Sequence, residues 1–277
     1  MRLGNTDVGD LVYLQVSGGD TAFRVMHHGK PDDTYDNSFS GGTILMLDYS
    51  ETPYQTRMVE EVDEYKGDYS GSYMHWMLNS NWLSKLEGAV AEKVVQVKLP
   101  YRQGISSDPY VVASGSQGLA AKVWLPSIVE VSLGAFSSFG MSTGYYITEG
   151  ARFDYFKGAS PSFYSKWKVL DSDAGGDEGW GTRTPGQYGS GAYADFFCKV
   201  NVNGEWFSAN RNEVHVRPCL VLPDETLVDD SGRITAGVET PVKIGGVWRD
   251  GVSWSKIGGV WRKTGTIHKK VDGSWKQ

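Results

Sequence analysis

Two acidic segments and five histidines are the residues of this chain whose types could support catalysis or metal binding. Residues 171–178 place carboxylates on a glycine-containing loop, and oxygen ligands of that kind suit calcium. The spacing departs from the EF-hand pattern, because Thr182 stands where that pattern places a bidentate Glu. We therefore expect a solvated acidic loop and no cofactor, with a calcium ion as the alternative. Asp32, Asp33 and Asp36 form a weaker candidate of the same kind.

The second acidic segment, which begins at Glu60 and Glu61, holds enough carboxylates for the acid and base of a glycosidase. Adjacent acidic residues on a polar segment more often form a solvated face, however. The histidines lack the spacing of a zinc-peptidase motif, in which two histidines four residues apart enclose a Glu. We expect no catalytic residue and predict that the chain is not an enzyme.

The two cysteines, Cys198 and Cys219, stand in apolar segments with the character of strands. Two cysteines make neither a disulfide framework nor a zinc site. We expect two buried thiols in a reducing compartment, and the sequence leaves open whether they pair.

Residue types suited to recognition are concentrated between two short motifs, Gly-Trp-Gly-Thr-Arg-Thr-Pro at 179–185 and Val-His-Val-Arg-Pro-Cys-Leu at 214–220. The enclosed segment, 187–212, is too polar for a core and too aromatic for a linker. Tyr and Trp offer rigid ring surface at a small entropic cost, and Asn and Ser adapt their hydrogen bonds. The pattern favours a binding protein.

Composition narrows the possible partners. The chain of 277 residues has 35 Gly, 10 Trp and 15 Tyr, which is typical of many tight turns and many amphipathic ring surfaces. Its net charge of −6 argues against nucleic-acid binding, which needs a basic stripe. No apolar run is long enough to insert in a membrane, and the N-terminus lacks a signal peptide. We expect synthesis in a cytoplasm.

The elements that must position these residues follow an α+β pattern of many short strands, two short helices and long loops. Apolar runs at 11–16 and 22–26 flank a turn and predict a hairpin, as do 194–202 and 205–208 around Asn203-Gly204. Helical spacing predicts a helix over 70–78 that ends at 79–81, and a second helical piece at 82–86. The main domain is predicted to span 1–223, followed by a polar linker over 224–239.

Residues 240–277 form a small all-β repeat module. The heptapeptide Lys-Ile-Gly-Gly-Val-Trp-Arg at 243–249 recurs at 256–262, and a looser copy follows at 270–276. Each copy predicts a hairpin whose second strand carries a Trp. Because an isolated hairpin is barely stable in water, the copies are expected to pack on something. A structural anchor is the main interpretation, and a module that grips an anionic polymer through Trp and Lys is the alternative.

The order of landmarks over residues 8 to 222 resembles an uncharacterised domain family of Gram-positive bacteria and their prophages. That family has a C-type-lectin-like fold related to the formylglycine-generating-enzyme group. The matching segments, in chain order, are Val8-Gly9-Asp10, Phe23-Arg24-Val25, residues 42–47, residues 69–79, residues 122–127 with Glu130-Val131, residues 150–156 and the two closing motifs. The chain departs from the family at Gly181, Thr182 and Cys219.

This resemblance implies that the loops between the closing motifs form the ligand face. Carried onto this chain, it implies nine contact residues: Gln187, Tyr188, Tyr193, Asp195, Asn201, Asn203, Trp206, Asn210 and Asn212. Trp180, Arg183 and Arg217 are expected to be structural, with each Arg buried beside Trp and loop carbonyls.

The C-terminal repeats resemble those that end tail and other virion proteins of phages of Gram-positive hosts. Together the two resemblances imply a virion protein that binds a host surface carbohydrate or protein, as one of many copies in a homo-oligomer on the particle. The repeats would contact other virion proteins. The alternative is a structural component, a capsid decoration or tail scaffold, that binds only other virion proteins.

Overall fold

The chain divides into two compact units, residues 1–234 and 235–277. The computed structural model describes 1–48, 69–102, 112–131, 149–157, 180–188, 191–200, 206–209 and 215–235 of the first part of the chain. In the last part it describes 240–244, 247–251, 254–257, 260–263, 269–271 and 274–276. Within these ranges the backbone alone is described for residues 185–196, 199, 206–209 and 240–276.

A five-stranded antiparallel sheet forms the centre of the first unit. Its strands, in spatial order, are β1 (Leu11–Val16), β2 (Gly19–His28), β3 (Gly42–Leu47), β12 (Cys219–Pro223) and β8 (Val123–Trp124). The predicted first hairpin is confirmed. Its turn is only two residues, Ser17 and Gly18, and both have positive φ, as the tightest hairpin turns require.

The burial pattern along each strand shows whether one face or both faces of the sheet lie in the core. β1 alternates buried residues with more exposed ones, as expected for a strand with one face in the core. All six residues of β3 are buried, and so are four of the five in β12. These two neighbouring strands therefore lie in the interior of the unit, which explains their continuous apolar sequence.

Shorter strands and a three-stranded sheet complete the first unit. The small sheets pair β4 (Val97–Leu99) with β7 (Leu119–Ala121), and β5 (Tyr101–Arg102) with β6 (Val112–Ala113). The three-stranded antiparallel sheet has β10 (Gly191–Val200) between β9 (Trp180–Tyr188) and β11 (Trp206–Ala209). β10 and β11 are the second predicted hairpin.

Helical structure is sparse in the described residues. The two α-helices are α1 (Tyr73–Met77) and α2 (Gly88–Ala91). Short 3-10 turns occur at Leu3–Asn5, Asn37–Phe39, Tyr69–Gly71, Leu83–Lys85, Gly115–Gln117 and Asp154–Phe156. No helix in the described ranges is long and apolar enough to cross a membrane.

The first helix does not end where the sequence predicts. The helical backbone runs on from α1 through a π turn at Leu78–Trp82 into the 3-10 turn that follows. The expected stop at 79–81 fails because the Asn79 amide is engaged elsewhere. Its oxygen accepts from the backbone N–H groups of Lys122 and Val123, at 2.8 and 3.1 Å, and its nitrogen donates to the Val123 carbonyl at 2.8 Å. Asn79 thus fastens the helix to the chain entering β8.

Residues 224–235 are structured, whereas the sequence predicts a linker there. They form the two-stranded sheet of β13 (Leu227–Val228) and β14 (Ile234–Thr235). The backbone of Leu3 donates to the Thr226 carbonyl at 2.8 Å, and the N–H of Val228 donates to the Met1 carbonyl at 2.8 Å. Val228 and Ile234 are buried. The segment is acidic overall, so its few apolar residues do not stand out in the sequence. The segment pairs with the N-terminal residues of the same unit.

Three hairpins make up the described part of the second unit. They pair β15 (Thr240–Ile244) with β16 (Val247–Gly251), β17 (Trp254–Ile257) with β18 (Val260–Lys263), and β19 (Lys269–Val271) with β20 (Ser274–Lys276). Each repeat is therefore a hairpin whose second strand carries a Trp, as predicted, and the first strand of the second hairpin carries another, Trp254. The described part of the chain is mixed and strand-rich with few helices, which is compatible with the predicted α+β class.

Candidate functional site

The predicted ligand face belongs to the β9–β10–β11 sheet, and one end of that sheet is fixed in the core. Trp180, Phe197, Cys198 and Val200 are completely buried. A parallel bridge joins Trp180 to His215, so the first closing motif contacts the second directly. We call this end, defined by Trp180 and Val200, the base of the sheet.

Arg183, three residues along β9, is the centre of a buried polar cluster. Its guanidinium makes two parallel hydrogen bonds to the Glu130 carboxylate, at 2.6 and 2.8 Å. It also donates to the carbonyls of Leu125 and Pro100, each at 3.0 Å. Arg183 and Glu130 are both fully buried. Burial alone lowers the pKa of Arg183, but the charge and hydrogen bonds of Glu130 outweigh it and raise that pKa.

A second carboxylate, Glu149, lies on the other side of the same guanidinium, 3.8 Å from its Nε. Thr184 donates its hydroxyl proton to Glu149 at 2.5 Å, and Ser127 donates to the Glu149 backbone carbonyl at 2.7 Å. Burial raises the pKa of Glu149, while Arg183 and Thr184 favour its charged form. Its carboxylate is thus held by fewer cationic donors than that of Glu130.

Tyr35 completes the cluster. Its hydroxyl donates to Glu130 at 2.6 Å and accepts from the Ala151 N–H at 3.2 Å. Burial raises its pKa far above the ordinary value, so it stays a neutral donor. Arg183, Glu130, Glu149 and Tyr35 have no exposure to solvent, or almost none. A substrate could not reach these groups without displacing core side chains, so we assign the cluster to positioning β9.

Arg217 anchors the second closing motif in the same way. It is buried, with its guanidinium carbon 5.3 Å from the centre of the Trp180 ring. It donates to the carbonyls of Leu47 and Asp48 at 2.9 and 2.6 Å. Burial lowers its pKa to about 10, which leaves it charged at neutral pH. Both arginines are buried and donate to backbone carbonyls, as predicted, and the predicted Trp neighbour is observed for Arg217.

The register of the sheet separates two of the predicted contact residues. Val200 pairs with Trp180 on one side and with Trp206 on the other, so Trp206 stands at the base. Tyr188 pairs with Gly191 at the opposite end of β9. The strand rises about 26 Å between Trp180 and Tyr188, at about 3.3 Å per residue. The nine predicted residues therefore do not all lie at one end of the sheet.

The distal end, which we call the tip, holds four of the nine, Gln187, Tyr188, Tyr193 and Asp195. Gln187 pairs with Ala192 on the neighbouring strand. From there to the next pair, Phe197 with Pro185, β10 advances five residues while β9 advances two. Tyr193 and Asp195 fall in this β-bulge. Bulges of this kind redirect side chains and are frequent beside binding sites.

The remaining four predicted contacts, Asn201, Asn203, Asn210 and Asn212, lie outside the described residues, as do the candidate calcium loop at 171–178 and the carboxylates at 60–64. Among the described residues no group of three metal-binding side chains occurs. Asp32 and Asp36 accept hydrogen bonds from Thr34 and Ser38 and so stabilise local turns.

Both cysteines are buried, and neither forms a disulfide bond. Burial raises the pKa of the Cys219 thiol well above its ordinary value, which keeps it protonated and unreactive. The expectation of two buried thiols is confirmed.

Sequence reasoning missed the partners of Arg183. Glu130 stands alone among apolar neighbours in Ile128-Val129-Glu130-Val131, and such a solitary charge in an apolar run is a signal of a buried ion pair. Glu149 and Tyr35 carry no comparable local signal. They become recognisable only when the fold brings distant segments together, across 95 residues for Tyr35 and Glu130 and across 35 for Glu149 and Thr184.

Comparison with known proteins gives one match. No curated protein and no solved structure matches the chain. A family profile matches residues 40–224, which is more than half of the chain. That range contains the β9–β10–β11 sheet, both closing motifs and all of the Arg183 cluster except Tyr35. The chain therefore belongs to the family described as Domain of unknown function (DUF6273).

Proposed function

We propose that this chain is a non-enzymatic phage virion protein that attaches to a carbohydrate or protein on the host bacterial surface. Attachment uses the tip of the β9–β10–β11 sheet. The observation that carries the proposal is a sheet with a rigid base and an aromatic, polar tip. Its base is locked by the Arg183 and Arg217 hydrogen bonds, and its tip holds Tyr188 and the bulged Tyr193.

Rigidity at the base has a direct energetic consequence for binding. A segment that is ordered before it meets its ligand loses less entropy when it binds. Tyr side chains add to this, because they have few rotatable bonds for their contact area. The fully hydrogen-bonded cluster at the base is thus the kind of support that a binding face requires.

The C-type-lectin-like fold is part of the proposal. An antiparallel, strand-rich α+β unit with few helices is compatible with it, and so is the meeting of the two closing motifs at Trp180 and His215. The location on a virion rests on the resemblance of the repeats at 243–276 to those of phage tail proteins. Many copies on one particle would compensate for weak single sites by raising the effective concentration.

The test is binding of labelled protein to a panel of Gram-positive cells. Tyr188→Ala with Tyr193→Ala removes the aromatic tip, and we expect at least a tenfold loss of binding with an unchanged unfolding midpoint. Lys157→Ala changes an exposed residue outside the β9–β10–β11 sheet, so it is the control and should bind as wild type. Addition of EDTA tests the calcium alternative at 171–178. Unchanged cell binding by the folded tip variant would refute the assignment.

A structural virion component is the second candidate function. The three successive hairpins favour it, because isolated hairpins need a partner to be stable. Absence of binding to every strain tested, with the protein folded, would favour this role. Residues 240–277 have two proposed partners. Other virion proteins would join the chain to the particle or to sister subunits, and an anionic polymer is the alternative.

A further inference from the structure

The three hairpins of the second unit share one register. Lys243 pairs with Trp248, Lys256 with Trp261, and Lys270 with Trp275. In each hairpin this is the second pair from the turn. Directly opposed residues share one face of a two-stranded ribbon, so in each repeat this Lys and this Trp occupy positions on the same face. The second hairpin adds another such pair two positions along, Trp254 with Lys263.

A second position is also equivalent in all three repeats. The residue after the Trp of each Lys–Trp pair at the second position from the turn is basic: Arg249, Arg262 and Lys276. Residues 240–277 contain eight basic and two acidic residues, a net charge of +6. The preceding 239 residues contain 19 basic and 31 acidic residues, a net charge of −12. The chain thus concentrates positive charge in the repeat module, against the sign of the rest.

We propose that the repeat module binds an acidic polysaccharide, a polymer with a sugar ring and a negative charge in each repeating unit. A Trp ring stacks on the apolar face of a sugar, and the Lys of the same pair meets the anionic group. Three equivalent pairs at intervals of 13 and 14 residues suit a ligand that repeats the same chemistry along its length. A folded protein surface offers no such repetition.

A bound polymer would stabilise the hairpins in a different way from the protein contacts of a structural anchor. A polymer that spans several hairpins stabilises each of them by binding only the folded form. It also explains why three imperfect copies are useful. Linked weak sites reach an avidity well above that of any single site.

The charge of the first unit favours a polysaccharide over a nucleic acid. Nucleic acids carry a phosphate at every nucleotide and would be strongly repelled by the −12 of the preceding residues. An acidic polysaccharide with one charge per sugar has a lower charge density than a nucleic-acid duplex, which carries one charge per about 1.7 Å of its axis. The resulting attraction to the module is local and is expected to weaken with salt.

The experiment measures binding of the full chain to polygalacturonate in low salt. Its methyl ester has the same rings without charge, and inorganic polyphosphate has charge without rings. We expect saturable binding to polygalacturonate, at least tenfold weaker binding to either control, and a loss of affinity as salt rises. Single-stranded poly(dT) bound as tightly as polygalacturonate would overturn the proposal in favour of a nucleic-acid module.

Two sets of variants separate the roles of ring and charge. Changing Trp248, Trp261 and Trp275 to Ala should weaken polygalacturonate binding at least tenfold, whereas the same positions changed to Phe should recover most of it. Changing Lys243, Lys256 and Lys270 to Gln keeps the rings and should weaken both the binding and its salt dependence. Wild-type affinity in either the Ala or the Gln set would refute the proposed contacts.

The inference goes beyond the attachment proposed for the tip and can fail independently of it. The assay contains no cells, and the tip variant with Tyr188 and Tyr193 changed to Ala should bind polygalacturonate as wild type does. Conversely, the Trp248, Trp261 and Trp275 variant tests the module without altering the tip.

Discussion

At the scale of single residues, the Arg183 guanidinium compensates the charge of buried carboxylates in the core. It neutralises Glu130 through two hydrogen bonds and lies close to Glu149, with all three side chains inaccessible to solvent. Arg183→Met leaves the Glu130 carboxylate buried without its cation and leaves Glu149 with Arg102 as its remaining cation. We expect a loss of about 3–5 kcal/mol in the free energy of unfolding, measured by urea denaturation at pH 7.

Lys157→Met is the matched control for that measurement. Lys157 makes an ion pair with Asp154 at 2.7 Å, but both side chains are largely exposed. Exposed pairs contribute little, so a change within about 0.5 kcal/mol is expected. A loss below about 1 kcal/mol for Arg183→Met would show that the buried carboxylates do not need the guanidinium.

Glu149 gives the cluster a pH dependence with a defined sign. Burial raises the pKa of Glu149, so the folded state holds its proton more tightly than the unfolded state does. The stabilising effect is complete below the unfolded pKa, about 4.3, and is lost as pH rises through the raised folded pKa. Glu149→Gln does not titrate. The free energy of unfolding of this variant, relative to wild type, should therefore increase from pH 4 to pH 7.

Urea titrations at four pH values test this prediction, with Glu92→Gln as the control at an exposed carboxylate. The control should show no comparable trend relative to wild type. A pH-independent difference for Glu149→Gln would mean that Glu149 does not exchange a proton on unfolding.

At the scale of elements, sequence patterns predicted the strands better than the helix ends. The hairpin at residues 11–28 follows from alternation and a glycine turn, and these are local signals. The π turn at Leu78–Trp82 depends on hydrogen bonds from Asn79 to a strand more than 40 residues away. An Asn in a helical pattern is ordinarily a stop signal, and only the tertiary contact reverses that interpretation.

The substitution Asn79→Ala tests the contact between the Asn79 amide and the backbone of Lys122 and Val123. The substitution leaves the N–H groups of Lys122 and Val123, and the Val123 carbonyl, without their partner. At about 1 kcal/mol for each partly buried group, we expect a loss of about 2–3 kcal/mol in urea unfolding. Asn81→Ala changes an exposed residue of the same π turn and should cost less than about 0.5 kcal/mol. Equal effects of the two substitutions would contradict the role assigned to Asn79.

At the scale of the whole molecule, sequence reasoning recognised two kinds of structure but misplaced the boundary between them. The repeat at 243–276 is explicit in the sequence, and the base of the β9–β10–β11 sheet is marked by its two motifs. The end of the first unit carries no such mark. Its closing contacts are made by a few apolar residues, such as Val228 and Ile234, in an acidic segment.

Two fragments distinguish the observed boundary from the predicted one. Fragment 1–235 keeps β13, β14 and the hydrogen bonds from Leu3 to Thr226 and from Val228 to Met1. Because the second unit is compact by itself, this fragment should unfold at nearly the wild-type urea midpoint and retain the cell binding proposed for the tip.

Fragment 1–223 loses two buried aliphatic side chains, each contributing about 1.5–3 kcal/mol, together with those hydrogen bonds. Its loss of about 3–6 kcal/mol is a large part of the stability of an ordinary domain, so much of fragment 1–223 should be unfolded without denaturant. If fragment 1–223 were as stable as fragment 1–235, residues 224–235 would be a linker, as their composition predicts.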